Sequence, residues 1–111
     1  MKIKYVGEKC NKYSPQGVYT LDYEFNGETI TCTYQKDDQT ITDTFDFSNF
    51  TESDELAEVN TDIPVNPIQS VERKDGELYV ELKKTYNMNK AERIEKYGYG
   101  NLPFSTDWQV V

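Results

Sequence analysis

The sequence predicts an α+β fold: antiparallel β-hairpins or a meander forming a small sheet or sandwich, with one or two short helices. Three observations predict it. Period-two alternation of apolar and polar residues flanks Asn26-Gly27, a second such pair of segments flanks Asp75-Gly76, and Asn89, Glu92 and Gly98 bracket a short stretch with helical spacing. Alternation marks a half-buried strand, and Asn-Gly or Asp-Gly is the dipeptide that a two-residue type I′ hairpin prefers. The length of 111 residues suits one domain spanning 1–111, and a chain this long buries roughly two-thirds of its unfolded surface. The apolar fraction of 36% is low, but nine Tyr and five Phe supply large side chains for a core.

Lys2 to Val6 reads as a short first strand, and Gly7 to Gly17, with Ser14-Pro15, as a loop. In Val18 to Phe25 the residues Tyr19, Leu21, Tyr23 and Phe25 share one face; beyond Asn26-Gly27, Ile30, Cys32 and Tyr34 continue it, with Thr29, Thr31 and Thr33 opposite. A loop made of Asn26-Gly27 pairs Phe25 with Glu28, Tyr23 with Ile30, Leu21 with Cys32 and Tyr19 with Tyr34. A one-residue slip would turn the apolar set outward. Lys36 to Gln39 is the next turn. Thr40 to Phe47 is a third strand, with Ile41, Phe45 and Phe47 inward and Asp43 on the same face, a position that fits an edge. Thr51-Glu52-Ser53-Asp54 has the pattern of a helix start, so Glu52 to Val59 is expected to be a helix of about two turns docking Leu56 and Val59. Ile63 to Pro67 is extended, since a residue before proline leaves the helical region.

With Asp75-Gly76 as a two-residue loop, Lys74 faces Glu77, Arg73 faces Leu78, Glu72 faces Tyr79 and Val71 faces Val80. Val71, Leu78, Val80 and Leu82 then form one apolar face, and Lys74 with Glu77 an exposed ion pair of little worth. The second strand extends toward Tyr86. A last helix begins at Asn89, carries Ala91, Ile94 and Tyr97 as its stripe, and ends at Gly98. Trp108, so near the end of the sequence, is expected to pack on the domain or on a partner.

Composition narrows the chemistry. Twenty acidic against twelve basic residues give a net charge of −8, which repels a phosphate backbone, so no nucleic-acid partner is expected. There is no His and only two Cys, Cys10 and Cys32. Their spacing marks neither a zinc site nor a redox motif, and two free thiols are the expectation, with Cys32 in the core. Nucleophile triads of the common kind need a His base. Asp43 and Asp46 point to opposite faces of one strand, and Asp37 to Asp43 lacks the Gly and closing Glu of an EF-hand loop. No catalytic residue, metal site or cofactor is expected. Asn49-Phe50-Thr51 matches a glycosylation acceptor by chance, because Met1 to Gly7 lacks the apolar run of a signal peptide. No segment approaches the length of a membrane span, so synthesis in a cytoplasm without membrane insertion is expected.

Two surfaces stand out. Tyr97-Gly98-Tyr99-Gly100-Asn101-Leu102-Pro103-Phe104 sets rings beside flexible backbone. Such a loop suits a protein interface or stacking on a sugar, and the plainer alternative is that Tyr99, Leu102 and Phe104 seal the end of the core. Tyr79, Glu81 and Thr85 occupy the second face of the later hairpin, open to a partner if the fold leaves it uncovered. The candidate interaction residues are therefore Tyr79, Glu81, Tyr97, Tyr99, Phe104 and Trp108.

Pro67-Ile68-Gln69-Ser70-Val71-Glu72-Arg73, Asp75-Gly76-Glu77-Leu78-Tyr79-Val80-Glu81-Leu82 and Trp108-Gln109-Val110 together resemble a pattern in small proteins encoded beside the tail genes of siphophages infecting Gram-positive bacteria, near the tail-tip and lysis genes. The first hairpin takes no part in the resemblance. The resemblance implies a non-enzymatic tail-tip or baseplate-associated structural or assembly protein. Such a protein is made in the host cytoplasm and incorporated in the virion tail, with phage tail and baseplate proteins, or further copies of itself, as partners. It carries over no catalytic residue. A host-surface carbohydrate-binding module, on the strength of the Tyr97 to Phe104 loop, and a small cytoplasmic regulator or inhibitor made during infection are the alternatives.

Overall fold

The computed structural model describes residues 1–111. The chain forms, in order, β1 (Lys2–Lys9), β2 (Thr20–Asn26), β3 (Thr29–Lys36), β4 (Gln39–Asp46), β5 (Ile68–Lys74), β6 (Glu77–Tyr86), α1 (Lys90–Tyr97) and β7 (Gln109–Val110). The fold is the α+β class expected, mostly strand with one short helix. The strands divide into a three-stranded sheet, β2-β3-β4, and a four-stranded sheet, β5-β6-β1-β7. The smaller sheet is an antiparallel meander. In the larger one β5 and β7 are antiparallel to their neighbours, while the two central strands, β6 and β1, run parallel.

Alternation explains the core. From the larger sheet Ile3, Ile68, Val71, Leu78, Val80 and Leu82 point inward; from the smaller, Leu21, Ile30, Cys32, Tyr34 and Phe45 meet them, and Cys10, Tyr19 and Ile63 close the rims. Removing these side chains from water contributes roughly 1.5–3 kcal/mol for each large aliphatic or aromatic group. Ile68 and Val71 lie three apart yet both face inward, because a bulge at Gln69 shifts the β5 register between Ile68 and Ser70. Polar ties join the layers where the sheets meet. The Tyr23 hydroxyl donates to the Lys83 carbonyl, and the Thr85 hydroxyl donates to the Tyr19 carbonyl at 2.6 Å. Burial drives the Tyr23 hydroxyl far above its ordinary pKa and pushes the Cys32 thiol up to about 12. Cys10 and Cys32 are both buried and free, as expected from their spacing.

The Asp75-Gly76 hairpin has the expected register, residue for residue from Val71–Val80 to Lys74–Glu77. Both loop residues have positive φ, +50° and +82°, as a type I′ turn requires. The first hairpin differs. Its loop is Gly27-Glu28, so Phe25 faces Ile30, Tyr23 faces Cys32 and Leu21 faces Tyr34. Gly27 takes a φ of +61° while Glu28 stays at negative φ, the pattern of a turn with glycine first. A two-residue shift leaves every side chain on the face that alternation assigned. It also replaces the Phe25–Glu28 pair by an apolar one and frees Glu28 for an ion pair described below.

Residues 47–67 contain no helix, which corrects the expectation for Glu52–Val59. Thr51 to Asp54 closes as a turn instead: the Thr51 N–H donates to Asp54 Oδ2 at 2.7 Å and the Asp54 N–H to the Thr51 carbonyl at 3.2 Å. Short polar side chains that can cap a helix serve a turn equally well, and two turns of helix do not stand without packing along their length. Leu56 and Val59 still pack against the core, from irregular backbone. Asp43, on edge strand β4, holds this segment by accepting from the Thr61 hydroxyl at 2.6 Å and the Asp62 N–H at 3.2 Å.

The last helix forms as expected. Asn89 Oδ1 accepts from the Glu92 N–H at 2.8 Å, its Nδ2 donates to Glu92 Oε1 at 2.8 Å, and the Gly98 N–H donates to the Ile94 carbonyl. No residue of α1 is buried, so its Ala91–Ile94–Tyr97 stripe is not docked in the core. No helix of the fold is long and apolar enough to cross a membrane.

Candidate interaction surface

The outer face of the four-stranded sheet is built from residues that alternate with its core. In one row across it stand Glu72, Tyr79, Lys2 and Val110, fixed by the pairings Glu72–Tyr79, Lys2–Tyr79 and Lys2–Val110. The next row holds Ser70, Glu81 and Lys4, with Trp108 beyond. Trp108 meets Tyr79 edge-on at 5.3 Å between ring centroids. The ammonium groups of Lys2 and Lys74 lie 5.4 and 5.7 Å from the Tyr79 centroid, and that of Lys4 lies 5.9 Å from Trp108. Tyr79 is thus half-covered by its own neighbours. Trp108 remains 43% and Val110 79% exposed. The expectation that Trp108 packs on the domain holds in part, through Tyr79 and Lys4.

Charges on this face are only partly satisfied. Lys74 pairs with Glu72 at 3.5 Å, and Glu77 with the Met1 amino group at 3.3 Å. The expected Lys74–Glu77 pair does not form, because the parallel β1 brings the Met1 amino group beside Glu77. None of the ion pairs in the molecule includes Lys2, Lys4 or Glu81. Thr85, expected on the open face, is instead engaged with Tyr19 at the corner where the sheets meet.

The outer face of the smaller sheet is different in kind. Thr31 and Thr44 hydroxyls lie 3.2 Å apart and Thr33 and Thr42 hydroxyls 3.4 Å apart, a ladder of β-branched residues open to solvent. Asp22, Glu24 and Asp46 are exposed beside it. This face is hydroxylated, acidic and without an aromatic ring.

Tyr97, Tyr99 and Phe104 do not join the Tyr79–Trp108 surface. Phe104 turns onto the sheet, edge-on to Tyr5 at 6.0 Å and to Tyr86 at 6.3 Å, with Lys84 above it. Leu102 fills the space left by the missing side chain of Gly7. These two seal the end of the sheet, as the plainer reading held, while Tyr99 stays 81% exposed under the Lys90 ammonium. Between the helix end and this segment lies an open cavity of about 460 Å³, lined by Tyr97, Asn101, Leu102, Phe104, Thr106 and Asp107 among others.

One further cluster fastens the two hairpins together. The Arg73 guanidinium makes bidentate hydrogen bonds to Glu28 at 2.9 and 3.0 Å and also donates to the carbonyls of Phe47, Phe50 and Gly76. Those bonds hold the Glu28 carboxyl below its ordinary range. The oddity of Arg73 facing Leu78 in the hairpin pattern is its sequence signal. Lys2 and Lys4 had none, since their place depends on a parallel pairing that no turn announces, and Val110 is placed only through its antiparallel pairing with Lys2.

No family model, curated protein or solved structure matches the chain.

Proposed function

We propose that the chain is a non-enzymatic structural or assembly module of a siphophage tail, tail-tip or baseplate-associated, which binds other proteins through the outer face of the four-stranded sheet. The Tyr79–Trp108 pair, with exposed Val110 beside it, is the observation that supports this reading. Aromatic side chains with rings half-free are the anchors of protein interfaces, and the alternative outer face offers none. The motif resemblance supplies the tail assignment. Mass spectrometry of purified virions, with electron microscopy of a deletion mutant, tests it. Detection in the tail fraction or a tail-assembly defect is the expected result; absence from virions together with normal tails refutes it.

A second reading is favoured by one observation, the cavity beside Tyr97. An aromatic ring, the Asn101 amide, hydroxyls and the Asp107 carboxylate around about 460 Å³ are the group types that bind a neutral sugar. Pull-down on isolated cell walls separates the readings. Retention that Tyr97→Ala abolishes supports sugar binding, and no retention at high protein concentration removes it.

A further inference from the structure

We infer that the occupant of the Tyr79–Trp108 face is a second copy of this chain, packed face to face about a two-fold axis that runs along the strands between β1 and β6. The inference rests on the reading of this face as a docking surface and names its partner.

Charge distribution is the first argument. The chain carries −8, so two copies repel across most of their surface. The outer face of the four-stranded sheet is the exception: Lys2, Lys4 and Lys74 stand among Glu72, Glu77 and Glu81. Copies meeting there bring together a neutral area, whereas the smaller sheet would bring Asp22, Glu24 and Asp46 toward their own counterparts.

Register is the second argument, and it selects the axis. The unpaired bases Lys2 and Lys4 lie on β1; the unpaired acid Glu81 lies beside Lys4 on β6. Because β1 and β6 are parallel and central, rotation by 180° about an axis along them keeps each row at its own height. It exchanges the two columns. Lys4 then faces the second copy's Glu81, Glu81 faces its Lys4, and Lys2 faces its Tyr79. Lys4 and Glu81 each gain the partner they lack, in two equivalent ion pairs made by one operation, the self-complementarity that a two-fold interface requires. Aligned sheet faces pack with their strands within about 30° of each other, so the twist of the sheet is compatible with this arrangement. Trp108 and Val110, at the β7 margin, are covered by the second copy's β5 margin.

Sedimentation equilibrium and light scattering of the full chain test this. Wild type is expected to move from the 12.9 kDa chain mass toward twice that value as concentration rises, and to dissociate with added salt. Lys4→Glu and Glu81→Lys should each weaken association by at least about tenfold, since each sets like charges opposite one another. The double exchange, Lys4→Glu with Glu81→Lys, should restore it. Lys96→Glu, on α1 and off this face, changes net charge as Lys4→Glu does and should leave the dimer intact. Circular dichroism and thermal unfolding confirm that each variant is folded. A chain that stays monomeric to about 1 mM, a dimer that neither reversal weakens, or a double exchange that stays dissociated overturns the inference. A monomer found in virions refutes self-pairing and leaves the tail reading intact; a dimer absent from virions, with normal tails, does the reverse.

Discussion

Arg73 shows how one side chain can define a neighbourhood. Its hydrogen bonds reach the first hairpin, the start of the 47–67 segment and its own turn. Replacing it by Ala removes the side-chain donor from Glu28 and from the Phe50 and Gly76 carbonyls, leaving the Phe47 carbonyl only its bond from the Phe50 N–H, so thermal unfolding of Arg73→Ala should begin well below that of wild type. Arg73→Lys should recover only part of the loss, because an ammonium cannot reproduce the planar fork. Glu28 and Asp43 link the same contacts to pH. Both carboxyls are depressed in the folded chain, Glu28 first by the Arg73 hydrogen bonds and Asp43 first by the Thr61 hydroxyl. A depressed folded-state value means that the stabilisation is complete above the unfolded-chain values of 4.5 and 3.8. It is lost as pH falls through the lower folded-state values. Stability measured in urea should therefore drop on acidification below about pH 5, and Glu28→Gln with Asp43→Asn should flatten that drop. The two thiols make a simpler test. Cys10 and Cys32 are buried, and Cys32 is held protonated by burial. A thiol reagent should label neither in the native protein and both in denaturant, since the thiolate is the reactive form.

At the scale of elements, what the sequence made legible was local. The Asp75-Gly76 turn and the β5–β6 register follow from a dipeptide and an alternation. So does the helix from Asn89 to Gly98, whose cap residues were each in place. The first hairpin was legible in its faces but displaced in its register, because Asn-Gly offers two frames and the one with Gly27 leading gives the better apolar pairing and a free Glu28. The segment after β4 carries an ambiguous signal: helix-start and turn residues are the same short polar side chains, and only tertiary packing separates them. The pairing of β1 with β6 was not legible at all, as parallel strands leave no turn between them. On the candidate site, Tyr79 and Glu81 were legible as one outer face, Thr85 was wrongly grouped with them, and neither the place of Trp108 beside Tyr79 nor the lysines that complete the face could be read. Two expectations belong here. Leu82→Ala, in the middle of β6 and fully buried, should destabilise by about 2–5 kcal/mol in denaturant unfolding. Asn89→Ala should have a different signature. With no buried residue in α1, loss of its cap should speed amide exchange within the helix and barely move the global unfolding midpoint.

The whole molecule is two sheets with unlike exteriors. One is a hydroxylated, acidic surface in which threonine satisfies both strand propensity and solvation. The other mixes charges of both signs with half-exposed rings. A 22 Å shortest dimension is about what two packed sheets and their side chains occupy. The division follows from sequence period: the same alternation that fills the core decides what each sheet shows outside. A substitution such as Trp108→Ala should thus leave the unfolding midpoint nearly unchanged while weakening the proposed self-association, a separation measurable by pairing calorimetry with sedimentation.

The parallel β1–β6 pair also sets an order of events. Each two-residue hairpin closes from neighbouring residues, a matter of microseconds. The pairing of Lys2 with Tyr79 joins residues far apart in the sequence, so β1 cannot pair until β6 has been made. Topologies dominated by such distant pairings fold in milliseconds to seconds. β1 is expected to add to β6 as a late stave, with β7 joining it at the sheet edge, so Ile3→Val should chiefly accelerate unfolding and leave the folding rate nearly unchanged in stopped-flow measurements. Lys2 and Lys4 reach the outer face only when that stave is in place. A half-folded chain therefore lacks the finished outer face, and under the proposed two-fold pairing readiness to associate becomes a report that folding is complete.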